Sequence, residues 1–487
     1  MYKFVVALSA VAGLFGAHAA SAADLPFKAP PVAAGPAVRW TGCYVNAGLG
    51  YGMWNQEHFL ETDPDHAPIN TGTASGGRGW LGRIGGGCDY QFAPAFLVGA
   101  LADYDAANLH GFAANAGLGG DEKESSAWAV GVRLGFLPSP NLMTFVSGGY
   151  TQARFDSVAI SFTPVFPPVP TGLIQPAHAY GGWFIGSGFE YALPWFPAHG
   201  AFVRTEYRYA KYSADDLPLT FAGLPTGLAE HSEKAVQTVT TSLVWKFDVP
   251  GVNVAAAPTL LLKAPAAPAA RWTGCYLDAG VGYGMWAQDR TGEFLPGGVP
   301  LTATETSGGR GWLGRFGAGC DYQVASRVVF GAFGDYDLMD LHNFVDLAGR
   351  GGQEKESSAW SLGGRLGYLP YPNVMTYASA GYTQTRFDQS TDFATAGVPP
   401  SPTGLFLAGH TYGGWFVGGG IDYAVPWLPV RGLFLRSEYR FSKYSADDVP
   451  LLVVGTGAPS GLGEHSEKAV QTVTTSLVWK FDVPGVR

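Results

Sequence analysis

The sequence predicts an all-β fold: an antiparallel transmembrane up-and-down β-barrel written twice, as two tandem eight-stranded barrels. One sixteen-stranded barrel is the alternative. Three observations carry this expectation. Long stretches of sequence recur at a fixed spacing. Apolar and polar residues alternate with period two within segments of strand length. The connections between those segments are alternately short and long.

The recurrence sets the organisation. RWTGCY stands at 39–44 and 271–276, SGGRGWLGR at 75–83 and 307–315, and EKESSAW at 122–128 and 354–360. The spacing is 232 residues, widening to 234 for EHSEKAVQTVTTSLVWKFDVPGV at 230–252 and 464–486. A period of that length marks a duplicated domain, not a solenoid. Lys3, the apolar stretch Phe4 to Gly16 and the small residues Ala20-Ser21-Ala22 read as a secretory signal peptide over 1–22. A periplasmic spacer (23–39) precedes the first repeat (40–248). An Ala/Pro linker (249–271), semi-stiff by composition, leads to the second repeat (272–482).

Composition agrees. The 487 residues include 69 glycines, about twice the ordinary share of ~7%. Aromatic and charged residues each make up 14%, and the net charge of −9 comes without a basic block, so nucleic acid is not an expected partner. Past the signal no apolar run is long enough for a membrane helix.

Eight strands per repeat are expected, in the first at about 43–54, 78–92, 95–105, 124–137, 142–156, 180–192, 200–212 and 234–247. In 128–136, Trp128, Val130, Val132, Leu134 and Phe136 oppose Gly131, Arg133 and Gly135. In 202–209, Val203, Tyr207 and Tyr209 oppose Arg204, Glu206 and Arg208, and in the closing segment Val239, Leu243, Trp245 and Phe247 oppose Thr238, Thr240, Ser242 and Lys246. One face is broad and aromatic; the other is glycine plus ionisable groups. That is the pattern of a lipid face and a narrow lumen. The expected lumen charges are Arg83, Asp89, Asp103, Arg133, Glu190, Arg204, Glu206 and Arg208. Their second-repeat counterparts are Arg315, Asp321, Asp335, Arg365, Asp422, Arg436, Glu438 and Arg440. The first set holds equal numbers of each sign, so its members can neutralise one another in a tight interior. Short connections at 93–94, 138–141 and 193–199 face long ones at 55–77, 106–123, 157–179 and 213–233. This places short turns in the periplasm and long loops outside.

"AADLPFKAP", "WTGCYVNAGLGYG", "GGGCDYQF" and the strand ending "VWKF" resemble the small porin-family outer-membrane β-barrel proteins of rhizobia and related alphaproteobacteria. That family includes the immunodominant barrels of Brucella and the hemin-binding barrels of Bartonella. The resemblance covers nearly the whole chain, once per repeat. It implies an eight-stranded barrel in the outer membrane of a Gram-negative bacterium, reached by Sec-type export and inserted by the barrel-assembly machinery. Outer-membrane lipid and lipopolysaccharide are then the expected surroundings. The chain departs from the usual member in being doubled and in carrying DVPGVR after its last strand.

Four cysteines fall at equivalent places. If the first hairpin turns midway through 55–77, partner numbers sum to about 131, which sets Cys43 opposite Cys88. An oxidising periplasm makes one cross-strand disulfide per repeat the expectation, Cys43–Cys88 and Cys275–Cys320. Free thiols serving as small apolar residues are the alternative. Asp215, Asp216 and His231 recur as Asp447, Asp448 and His465 in the fourth long loop. They suit either a wet rim or, remotely, a rim enzyme or hemin-binding surface. No catalytic residue, metal ligand or cofactor is expected. The leading function is a non-enzymatic outer-membrane barrel that supports the membrane and presents surface loops. A sixteen-stranded porin for small solutes is the alternative.

Overall fold

A computed structural model describes residues 38–193, 196, 200–247, 270–425, 430 and 432–481. The expected signal peptide, most of the spacer and the linker, and the closing DVPGVR lie outside these residues. The first repeat opens with β1 Gly42–Thr62, β2 Thr73–Ala93, β3 Phe96–Asn115, β4 Leu118–Ser139 and β5 Leu142–Phe155. The short strands β6 Val158–Phe162 and β7 Val169–Gln175 precede β8 His178–Ala192 and β9 Ala201–Tyr212. A short β10, Asp215–Phe221, leads into the closing strand β11, Leu224–Phe247. The second repeat runs β12 Gly274–Phe294, β13 Val299–Pro300, β14 Glu305–Ala325, β15 Val328–Leu347, β16 Arg350–Tyr371 and β17 Val374–Phe387. It continues with β18 Ser390–Ala394, β19 Ser401–Leu407, β20 His410–Ala424, β21 Leu433–Tyr444, β22 Asp447–Val453 and β23 Pro459–Phe481.

Each repeat closes on itself. β11 lies between β9 and β1, with Phe247 opposite Cys43 and Leu228 opposite Thr62. β23 sits the same way between β21 and β12, with Phe481 opposite Cys275. Every long strand pairs antiparallel with its neighbour along each repeat. The described strands therefore form two eight-stranded barrels, and the sixteen-stranded alternative is not the fold. The edge groups of each closing strand are already satisfied by the first strand of the same repeat, so nothing remains to pair across the linker.

A belt of exposed apolar side chains rings each barrel, including Val45, Leu49, Ile84, Val132, Ile185 and Leu243. Trp80, Trp128 and Trp183 mark its outer margin, and Tyr90, Phe92, Trp245 and Phe247 the margin at the short turns. Trp80 and Tyr90 are ten residues apart on one strand, the length a tilted strand needs to cross the hydrocarbon.

Beyond the outer margin the strands continue. The loops expected at 55–77 and 106–123 shrink to 63–72 and 116–117, and those at 157–179 and 213–233 contain β6, β7, β10 and the start of β11. Period-two reading stops there because both faces are covered. Gly52 to Gln56 are buried without a break: Trp54 points into its own barrel, while Met53 packs with Ala235, Met285, Ala287 and Ala469 across the interface between barrels.

That interface is a pseudo-two-fold. Several contacts recur with the repeats exchanged. The Tyr51 ring meets Phe441 edge-on at 5.4 Å and Tyr283 meets Tyr209 at 5.5 Å. Arg78 bonds Asp289, and Arg310 bonds Glu57 at 2.7 Å. The Thr71 amide donates to Thr395 and the Ala303 amide to Thr163, each at 3.0 Å. On the axis Ser75 faces Ser307. A Cβ on Gly76 would lie 3.1 Å from the Ser307 carbonyl oxygen and one on Gly308 3.2 Å from Gly76 Cα, so this approach favours glycine on both sides. Nearer the periplasm the barrels enclose an apolar cleft of about 630 Å³ lined by Phe96, Leu134, Phe189, Ile421 and Leu435 among others.

Closure within a repeat has a direct readout. Leu49 stands opposite Thr241 on the lipid face, so an L49C/T241C variant should cross-link under mild oxidation and change gel mobility. An L49C/T475C pair, which spans the two barrels, should not.

Candidate functional site

Inside the lipid belt every second residue points inward, and the inward set is a charge lattice. In the first barrel the Arg83 guanidinium clamps Asp105 with two 2.7 Å bonds and reaches Glu206 at 3.1 Å. Arg133 clamps Asp89 at 2.8 and 2.5 Å and touches Glu190 at 3.2 Å. Arg204 donates to Glu190 at 2.8 Å, and Arg208 clamps Asp103 at 2.8 and 2.9 Å. Lys246 closes the periplasmic end on Asp89 at 2.7 Å. The Tyr44 ring lies against Arg133 and Arg204, 4.6 and 4.4 Å from its centroid, and Phe184 lies under Arg208 at 4.3 Å. Planar guanidinium groups suit this packing because they bond in their plane and stack on their faces.

The second barrel repeats the lattice. Arg315 clamps Asp337, Arg365 clamps Asp321, Arg440 clamps Asp335 and Arg436 bonds Asp422. Lys480 bonds Asp321 at 2.5 Å, and the Tyr377 hydroxyl donates to Glu438 at 2.7 Å. All sixteen expected lumen residues point inward. Asp105, Lys246, Asp337, Lys480 and Asp278 belong to the same lattice and were missing from the expected set. The signal for four of them was on the page: Asp105 and Asp337 follow Asp103 and Asp335 by two positions, and Lys246 and Lys480 sit on the wet face of the closing strands. Asp278 replaces Asn46 of the first repeat and bonds Arg436 at 3.1 Å.

The lattice fills the lumens. The cavities left within it measure about 10 Å³ in each barrel, barely the room for one water molecule. Trp40, Tyr44, Leu97, Met143 and Phe202 cluster at the periplasmic end. At the outer end Lys234 sits over Phe155 at 4.3 Å and bonds Glu122 at 2.5 Å; Lys468 sits over Phe387 at 4.0 Å.

The disulfides stand where the register places them. Cys43–Cys88 and Cys275–Cys320 each have S–S at 1.96 Å, on the outward face near the short-turn end. The acids of the fourth loop meet histidines at the outer rim: His178, at the start of β8, meets Asp215 at 2.7 Å and His231 meets Asp216 at 2.6 Å, with His410–Asp447 and His465–Asp448 repeating both pairs.

The two outer mouths differ. In the first, Leu60, Ile160 and Leu219 pack together with Leu118, Leu173 and Leu228. In the second, Gly292, Arg350 and Asp392 replace Leu60, Leu118 and Ile160, and a cavity of about 250 Å³ opens among Arg290, Glu354, Asp392 and Glu464. Where His58 meets Glu230 at 2.8 Å, Arg290 meets Glu354 at 2.8 Å. Beside this mouth Glu305 and Asp346 are buried. Burial first, and then the Asp346 charge, push the Glu305 carboxyl up to about 8.

Comparison with known proteins follows this geometry. The family described as outer membrane protein beta-barrel domain matches residues 254–481. The 31 kDa outer-membrane immunogenic proteins of Brucella melitensis and Brucella suis are each 27% identical over 199 residues, 39% of this chain and 80% of theirs. Among solved structures, a Pseudomonas aeruginosa FadL homologue covers 90% of the chain and 90% of its own length at 11% identity and a TM-score of 0.28. OprG from Pseudomonas aeruginosa covers 44% of the chain and 99% of its own length at 11% identity and a TM-score of 0.26. The protein is an outer-membrane β-barrel protein, with weak, partial homology to the Brucella proteins.

Two outcomes follow from the buried charges. Replacing Arg133 by Met leaves Asp89 and Glu190 short of a partner and should cost about 3–5 kcal/mol, read as an earlier denaturant midpoint of the folded, heat-modifiable gel band. Glu305 titrates at 4.5 when unfolded and about 8 when folded, so its contribution is present at low pH and is lost as pH rises through that window. Thermal unfolding of E305Q in detergent should match the parent at pH 5 and exceed it at pH 8.5.

Proposed function

We propose that the protein is a non-enzymatic outer-membrane element of the porin family that contributes to membrane integrity and presents its outer strand extensions as a surface. The observation that carries this reading is the filled lumen. Two closed barrels are each crossed by four arginines held on carboxylates, and the cavities within these lattices measure about 10 Å³. Eight strands enclose a space that side chains can fill, whereas a diffusion pore needs more strands.

The extensions supply the surface. In each repeat the two-residue β3–β4 turn caps strands that run well past the tryptophan margin, giving a stiff projection instead of mobile loops. Lipid and lipopolysaccharide are the neighbours this proposal assigns to the apolar belt and rim, and the barrel-assembly machinery is the route of insertion. Asp215, Asp216 and His231 have the polarity a rim requires.

Planar-bilayer recording tests the proposal. The purified protein should give no large, stable conductance steps, and steps comparable with those of a diffusion porin would overturn it.

A further inference from the structure

The acids and histidines at the outer rims form a second kind of site. In the second barrel the end of β12 carries Glu293 alongside Asp448 of β22 and His465 of β23. One ligand atom from each lies within 4.8 Å of the others. His465 Nδ1 and Asp448 Oδ1 are 2.6 Å apart. Glu293 is 5% exposed, and its Oε1 is buried without a hydrogen-bond partner. Two carboxylates thus face one another beside one imidazole, an arrangement short of positive charge. Burial and then the Asp448 charge raise the Glu293 carboxyl above its ordinary value.

The first barrel builds a related group, with Glu61 and Asp216 at the places of Glu293 and Asp448 and a different histidine, His66. Glu61, His66 and Asp216 also bring ligand atoms within 4.8 Å of one another. His66 Nδ1 lies 2.7 Å from Glu61 and 3.2 Å from Asp216. Asp216 in turn meets His231 at 2.6 Å, and the His231 ring stacks on Phe59 at 4.7 Å, which fixes its plane. His66 comes from the β1–β2 connection; the second repeat has Gly298 at that place.

We infer that each outer rim is a binding site for a divalent transition-metal ion, zinc being the best match. Glu61, His66 and Asp216 supply the first site, and Glu293, Asp448 and His465 the second. Imidazole nitrogen with carboxylate oxygen is a zinc donor set. Three protein ligands in each barrel leave a position for water or an external ligand. Binding displaces the protons that the histidines share with the carboxylates. The inference does not depend on the proposed structural role: a conducting barrel could carry the same rims.

The test uses the full chain in detergent, freed of metal with a chelator and titrated with zinc by calorimetry at pH 7. Two ions per chain should bind saturably at micromolar affinity or better, and excess calcium should not displace them. H465Q should remove one ion and H66Q the other, with heat-modifiable mobility showing that both variants fold. These side chains are solvent-accessible, so folding should be unaffected; for any variant that does not fold, cobalt spectra of the parent chain take its place. Cobalt should show visible ligand-field bands of a histidine–carboxylate site that zinc abolishes. Absence of saturable binding, free exchange with calcium, or unchanged stoichiometry in the H66Q/H465Q double variant would overturn the inference.

Discussion

The hydrogen-bonded seam between β1 and β11, and its twin between β12 and β23, is the constraint on which the rest depends. A sheet in hydrocarbon cannot leave an edge unpaired, because each orphaned amide or carbonyl costs several kcal/mol, on the order of 2–7. Closing after eight strands fixes the diameter, and the diameter decides what the lumen can be. Side chains from opposite walls meet, so the interior must be packed. Because this interior is packed with arginines, each guanidinium needs its own carboxylate within bonding distance. Glycines such as Gly48, Gly50 and Gly52 on the inward face of β1 make the room: a Cβ at Gly48 would fall 2.3 Å from atoms of β11.

Closure also explains why the chain can hold two barrels side by side. Since neither offers a free edge, they meet only through side chains, glycine contacts and a few hydrogen bonds on their outer halves. The contacts are reciprocal, as in an isologous dimer, where one patch serves both partners. Covalent linkage makes that pairing intramolecular. It also frees the two copies to diverge where the pairing does not constrain them. They have done so at the outer mouths, apolar and packed in the first barrel, charged and open in the second.

Much of this was legible in one dimension. The eight core strands, the inward charges and the cysteine pairing all follow from period two, which holds wherever one face meets lipid and the other a packed lumen. The reading failed where that contrast failed. Asn55 and Glu57 point outward yet are bonded by Arg310 of the neighbouring barrel, so their stretch reads as irregular and was taken for loop. Asp278 could not be found by transfer from the first repeat, since Asn46 holds that place. The rim clusters escaped for another reason. Glu61 and His66 come from the first connection and Asp216 from the fourth, and no spacing rule links residues that only the closed ladder brings together.

The sequence by itself determined the strand class, the wet and lipid faces, the duplication and the residues that neutralise the lumen, because alternation and repetition are local and need no partner to be seen. Only the tertiary structure decided which strand the twice-written closing segment meets, how far the barrels project beyond the membrane margin, and which rim residues converge. Those depend on register and on contact between distant segments, and the free energy that selects them is that of pairing and packing, not of any one stretch of chain.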